Sequence, residues 1–139
     1  MVTFESDLCS FKQSVALKEI GFVGLCTSWY NSDGHLFDKF IKSEDSVSSI
    51  DLLRYKITES HTLAPEKNTI IDWFKIVHGL YAFLFVDDDK TFGYHITYFT
   101  FNARVDKPIK YRFETTEQAK SACIDELIEI VKNTNNYGK

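Results

Sequence analysis

Leu80 to Val86 and Gly93 to Ala103 are two aromatic-rich runs, and the stretch between them opens with the polar turn Asp87-Asp88-Asp89-Lys90. Two such runs joined by a short polar turn read as an antiparallel hairpin. In the first, aromatic residues stand at 81, 83 and 85; in the second, Tyr94, Ile96 and Tyr98 alternate with His95, Thr97, Phe99 and Phe101. Alternation of this kind sends successive side chains to opposite faces of a sheet. The segments around the hairpin read as its cover. Ile70, Phe74 and Val77 step along one helical face, widened by Ile71, Trp73 and Ile76. Pro65 fits the first turn of that helix, where its missing N–H costs nothing, and Gly79 ends it after His78. Beyond the hairpin, a turn near Asp106-Lys107-Pro108 leads to a short strand, Ile109 to Phe113. Thr115-Thr116-Glu117-Gln118 is then a capping box that opens a final helix. Ala119, Ala122, Cys123, Leu127, Ile130 and Val131 form its buried stripe, and Asn133 to Lys139 is expected to fray.

The first half is less regular. Phe4, Leu8, Phe11 and Val15 recur at helical spacing, so residues 4–20 read as a helix stopped by Gly21. Phe22 to Tyr30 reads as a strand, and Asn31-Ser32-Asp33-Gly34 as a turn. His35 to Ile41 fits a helical turn or a second strand. Residues 42–51, with four serines and three carboxylates, read as a surface loop, and Leu52 to Thr58 as a strand with a charged face. The expectation is one α+β domain over residues 1–139, with a mainly antiparallel sheet of about four to five strands packed against about three helices. At 139 residues the pieces on either side of the loop are too small for separate cores.

Charge and cysteine usage exclude several classes. Sixteen basic against twenty acidic side chains give a net charge of −4, whereas nucleic-acid coat proteins carry a basic excess. Cys9, Cys26 and Cys123 are odd in number and widely spaced, so neither a zinc ribbon nor a redox pair is signalled, and three buried thiols are expected. The start, Met1-Val-Thr-Phe-Glu-Ser-Asp, lacks the basic and apolar regions of a signal peptide. The longest apolar run is far short of the ~20 residues that span a bilayer. A cytoplasmic protein with no membrane association is expected.

No P-loop, Gly-x-Gly-x-x-Gly, Gly-x-Ser-x-Gly or His-Glu-x-x-His motif occurs, so no catalytic residue, cofactor or metal site is assigned. Asp87, Asp88 and Asp89 lack the alternation and glycine of calcium loops; an acidic tip engaging a basic groove on a protein suits them better. Trp29, Tyr30 and Phe37 flank the Asn31–Gly34 turn and serve either an interface or one end of the core. Arg104, Lys107, Lys110 and Arg112 stand with Tyr98, Tyr111 and Phe113. On a sheet, such aromatic residues stack bases while the cations hold phosphates. A cationic edge strand is equally a guard against edge-to-edge aggregation. Of His35, His61, His78 and His95, no two share a helical face at metal-ligand spacing. His78 suits the helix C-terminal dipole, and His95 sits among apolar neighbours. A Cys26–His95 nucleophile pair is geometrically open.

Thr62-Leu-Ala-Pro-x4-Ile-x-x-Trp, the strand hairpin, and Phe113-Glu-Thr-Thr-Glu-Gln-Ala before a helix resemble small uncharacterised proteins of phages and prophages from Bacteroidetes-type hosts. Gly21-Phe22 and Cys26 to Tyr30 resemble the start of such proteins, and the similarity covers about residues 15–132. The longer middle segment, 31–58, and the acidic triplet 87–89 depart from the pattern. The resemblance implies a phage accessory protein, a class that includes inhibitors of host defence and of CRISPR effectors. Thirteen Lys against three Arg fit the AT-rich genome of such a setting. The expected function is therefore to bind and occlude a host protein or ribonucleoprotein complex through Trp29, Tyr30 and the Asp87–Asp89 tip. The alternatives are an RNA- or ligand-binding module using Tyr98, Arg104, Lys107, Lys110, Tyr111 and Arg112, and an enzyme with a cryptic Cys/His site. A homodimer, formed by apolar strands pairing across a two-fold axis, stays open.

Overall fold

Ser10 starts the first helix. Its hydroxyl accepts the Gln13 N–H (3.1 Å), and the Gln13 side chain accepts the Ser10 N–H (3.0 Å). This reciprocal box fixes α1 at Phe11–Glu19. The computed structural model describes residues 7–22, 28–38 and 62–137. The helix expected from residue 4 thus begins later: Leu8 pairs as a β-bridge with Glu66, and the Cys9 N–H donates to the Pro65 carbonyl at 2.8 Å. The buried face of α1 also differs from the expected apolar stripe, because Gln13, Ser14 and Leu17 turn inward while Phe11 and Val15 are half-buried. Gly21, at φ +96°, lets the Phe22 N–H return to the Leu17 carbonyl and closes the helix as expected.

The chain divides into two compact units, 1–66 and 67–139. In the first, β1 (Ser28–Tyr30) lies between β2 (Leu36–Asp38) and β3 (Thr62–Leu63), antiparallel to both. The ambiguous segment at 35–41 is therefore a strand at 36–38. Asn31 makes the β1–β2 turn by accepting the Asp33 and His35 N–H groups at its side-chain oxygen. Leu8, Tyr30 and Ala64 form the core, with Phe11 and Leu36 packed against them. The expected loop at 42–51 and strand at 52–58 lie outside the described residues, as does most of the strand expected at 22–30.

In the second unit, α2 (Lys67–His78) precedes β4 (Tyr81–Val86), β5 (Phe92–Phe99), β6 (Arg104–Asp106), β7 (Lys110–Phe113) and α3 (Thr116–Tyr137). Pro65 lies two residues before α2 rather than inside its first turn. Ile70 and Phe74 are fully buried, but Ile76 and Val77 are exposed, because no described element covers the last turn. β4 and β5 form the expected hairpin, Tyr81 opposite Thr97 through Val86 opposite Phe92. The expected long strand to Ala103 instead turns back at Phe101-Asn102, where the Thr100 N–H donates to the Ala103 carbonyl. β6 then pairs with the upper end of β5, and β7 with its lower end.

β5 is therefore central, with β4 on one side and the interrupted β6–β7 edge on the other. Tyr94 and Ile96 turn toward α3, where the Tyr94 hydroxyl donates to Glu126 at 2.8 Å. Thr115 and Gln118 form the expected capping box (3.1 and 3.3 Å), and α3 runs to Tyr137. Its buried residues include Ala119, Cys123, Ile124, Leu127 and Val131, while Ala122 is only half-buried. Lys67, buried in the first turn of α2, is paired with Glu117 of α3 at 3.4 Å. The architecture is α+β, with its described strands shared between a three-stranded and a four-stranded antiparallel sheet.

Candidate functional site

Helices cover one face of the four-stranded sheet, and period-2 geometry sends the alternate residues to the other. That outer face carries Tyr81, Phe83 and Phe85 from β4 beside Thr97, His95 and Gly93 from β5, in register. Phe83 is 55% exposed and Phe99 66% exposed. Tyr81 and Phe99 meet edge-to-face at 6.5 Å, and Phe83 and His95 lie 6.5 Å apart. At the tip of the β5–β6 hairpin, Phe101 is fully exposed. Gly93 keeps this face flat: a Cβ there would lie 2.6 Å from the Phe85 ring and 2.5 Å from the Lys110 carbonyl oxygen.

A small polar cluster interrupts the aromatic surface. Asp106 accepts from the Thr97 hydroxyl at 2.7 Å and from Arg104 Nε at 3.0 Å, and His95 Nε2 lies 3.7 Å away. The Thr97 hydrogen bond, followed by Arg104, holds the Asp106 carboxyl below the usual carboxylate range. Sequence reasoning missed Asp106, the residue that joins Thr97, Arg104 and His95. The signal is the 95/97 alternation combined with a strand opposite 97, and β6 ends at Asp106, where the expected Asp106-Lys107-Pro108 turn begins.

The residues expected to bind protein fall in different places. Tyr30 is a core residue whose hydroxyl donates to the Cys9 carbonyl at 2.7 Å, and Trp29 beside it is half-buried. Asp87, Asp88 and Asp89 form the tip of the β4–β5 hairpin. Asp88 and Asp89 are exposed there, while Asp87 is half-buried and accepts the Asp88 N–H at its carboxylate. Lys90 completes the turn at φ +63°. Among the described residues, no group of three or more His, Cys, Asp or Glu is arranged to hold a metal ion.

The residues expected to bind nucleic acid mostly line the β6–β7 edge. Lys110, Tyr111 and Arg112 are exposed, Lys107 and Tyr98 are half-buried, and Arg104 is engaged with Asp106. Arg112, at φ +70°, lies over the Tyr111 ring at 5.5 Å. Their place at a sheet edge also fits the guard role of cationic edge strands. Cys26 lies outside the described residues. Cys9 and Cys123 are buried, and burial, with a smaller contribution from Glu126, pushes the Cys123 thiol up to about 12. His78 ends α2, the helix C-terminal position expected of it, and there it packs against Trp73 and Phe74, where burial lowers its pKa.

No helix among the described residues is long and apolar enough to cross a membrane. No family model matches the chain, and neither the curated proteins nor the solved structures contain a match to it.

Proposed function

We infer that the chain is a protein-binding module whose contact surface is the outer face of the four-stranded sheet and the adjoining Phe101 tip. One observation carries this reading: exposed aromatic rings gather on a unit, Lys67–Lys139, whose ten basic and ten acidic side chains cancel. Protein interfaces concentrate aromatic residues and deplete charge at their centre, and exposed apolar patches on folded domains mark interaction sites. A nucleic-acid surface draws its affinity from unpaired cations. The acidic tip at Asp88 and Asp89 adds a rim that suits a basic partner. The resemblance to phage accessory proteins supports the partner class: a host defence complex, a CRISPR effector nuclease included, occluded in the host cytoplasm without chemistry.

The test is capture from host lysate by the tagged chain after nuclease treatment, with wild type beside Phe99→Ser/Phe101→Ser. The expected result is a stoichiometric protein captured by wild type and lost by the variant, with unchanged circular dichroism. Capture that the variant retains in full sinks the assignment of the surface. A second reading, RNA binding at the β7 edge, is favoured by the exposed Arg112–Tyr111 pair beside Lys110. It predicts capture abolished by nuclease and affinity falling steeply with salt.

A further inference from the structure

The two edges of the four-stranded sheet are built differently. The β6–β7 edge is broken by Pro108, has a register irregularity opposite Phe92–Tyr94, holds Arg112 at positive φ and carries Lys107 and Lys110. Each of these features blocks pairing with another strand. The β4 edge has none of them. Tyr81-Ala-Phe-Leu-Phe-Val86 is six uncharged residues in unbroken register with β5. Among the described residues no strand pairs with its far side. Its side chains are open on both faces, Phe83 outward and Leu84 and Val86 on the helix side. Ile76 and Val77, exposed at the end of α2, add to the apolar surface around this edge.

We propose that β4 pairs antiparallel with β4 of a second copy, making a two-fold dimer with one continuous sheet. Three observations select a second copy as the occupant. The first is register. At the hairpin the Asp87 N–H donates to the Thr91 carbonyl, so alternation along β4 turns the N–H and C=O groups of Ala82, Leu84 and Val86 to the free edge. A two-fold axis perpendicular to the sheet at Leu84 sets Leu84 against Leu84 and Ala82 against Val86, so every outward group meets another.

The second observation is charge. In that register Asp88 and Asp89 of one copy come alongside Leu80 and Gly79 of the other. There Lys75 is exposed, its Nζ 6.0 Å from the Tyr81 ring centroid. The acidic tip of each copy therefore meets the basic end of the other, twice, as an isologous interface requires. The third is the facing of side chains. Phe83 falls opposite Phe85 of the second copy on the outer face, joining the two aromatic surfaces, and cross-strand aromatic pairs stabilise such a ladder.

Sedimentation equilibrium over a concentration series tests the proposal. The wild-type chain is expected at twice its own mass. Leu84→Lys places like charges opposite each other at the axis and is expected to weaken the dimer about 100-fold. Lys75→Glu, away from the strand, is expected to weaken it about tenfold, and Lys75→Glu with Asp88→Lys/Asp89→Lys is expected to restore it. This charge exchange keeps the test valid should Leu84→Lys fail to fold. A wild-type monomer at 0.1 mM order (about 10⁻⁴ M, a generous ceiling for a specific interface) overturns the proposal. So does a dimer indifferent to the charge exchange, which would place the contact elsewhere or with another strand.

Discussion

Gly93→Ala is the most informative single change on the sheet. Gly93 does not occupy the positive-φ region, so alanine is conformationally acceptable there. Its loss of unfolded-chain entropy would by itself stabilise the fold by about 0.4–1 kcal/mol. Space decides against it. The new Cβ would stand 2.5 Å from the Lys110 carbonyl oxygen and 2.6 Å from the Phe85 ring, where ordinary contact begins near 3.4 Å. The ring can swing into solvent, but the carbonyl belongs to β7 and moves only if the strand retreats. Overpacking of this kind costs about 1–3 kcal/mol, so a net loss of about 1–2 kcal/mol is expected, or roughly 4–16 °C for a unit of this size. Urea titration of wild type, Gly93→Ala, Phe85→Ala and the double variant measures it. The double variant should be less destabilised than the two singles summed, by about 1 kcal/mol, because the ring clash is gone and the carbonyl clash remains. A Gly93→Ala protein within about 0.5 kcal/mol of wild type would refute the reasoning.

Other consequences follow from single groups. Lys90 holds a left-handed conformation at the hairpin tip, so Lys90→Gly should stabilise the chain by about 1 kcal/mol in the same titration. Cys123, buried and with its thiol pushed up to about 12, should resist alkylation in the native chain and react only on unfolding, as peptide mass mapping would show. His78 has a lowered folded pKa, and its Nε2 is buried without a hydrogen-bond partner among the described residues. As pH falls below its unfolded value near 6.5, the unfolded chain takes up the proton first, so stability is lost on acidification and is intact above that value. Comparing melts at neutral and mildly acidic pH, His78→Phe should lose less stability than wild type. An equal loss in both would assign the effect to other groups.

The α+β class and the β4–β5 hairpin were legible because alternation and a polar turn are local signals. The Thr115–Gln118 capping box was legible for the same reason. Ser10-x-x-Gln13 carries the identical signal, yet the apolar spacing from Phe4 onward masked it. β6 was hidden because Phe101, a residue of strand type, occupies a two-residue turn, while Arg104-Val-Asp106 is too short and polar to stand out. Tyr30 near a loop fitted either an interface or one end of the core; its ring fills the core and its hydroxyl reaches back to Cys9. Nothing local could tell that Val77, on the same helical face as Phe74, would lie past the covering structure. The exposed aromatic face was implicit in the alternation at 81, 83, 85 and 99, but which face the helices cover is a tertiary fact.

Hydroxyl-radical footprinting of the chain, free and bound to its captured protein, tests the central claim most directly. Phe99 and Phe101 are solvent-facing and should be modified readily in the free chain. In the complex both should be protected about tenfold, as rings at an interface core lose their water, while Tyr111 on the β7 edge keeps its reactivity. Unchanged modification of Phe99 and Phe101, with protection confined to Lys107–Arg112, would contradict the account and move the contact to the cationic edge.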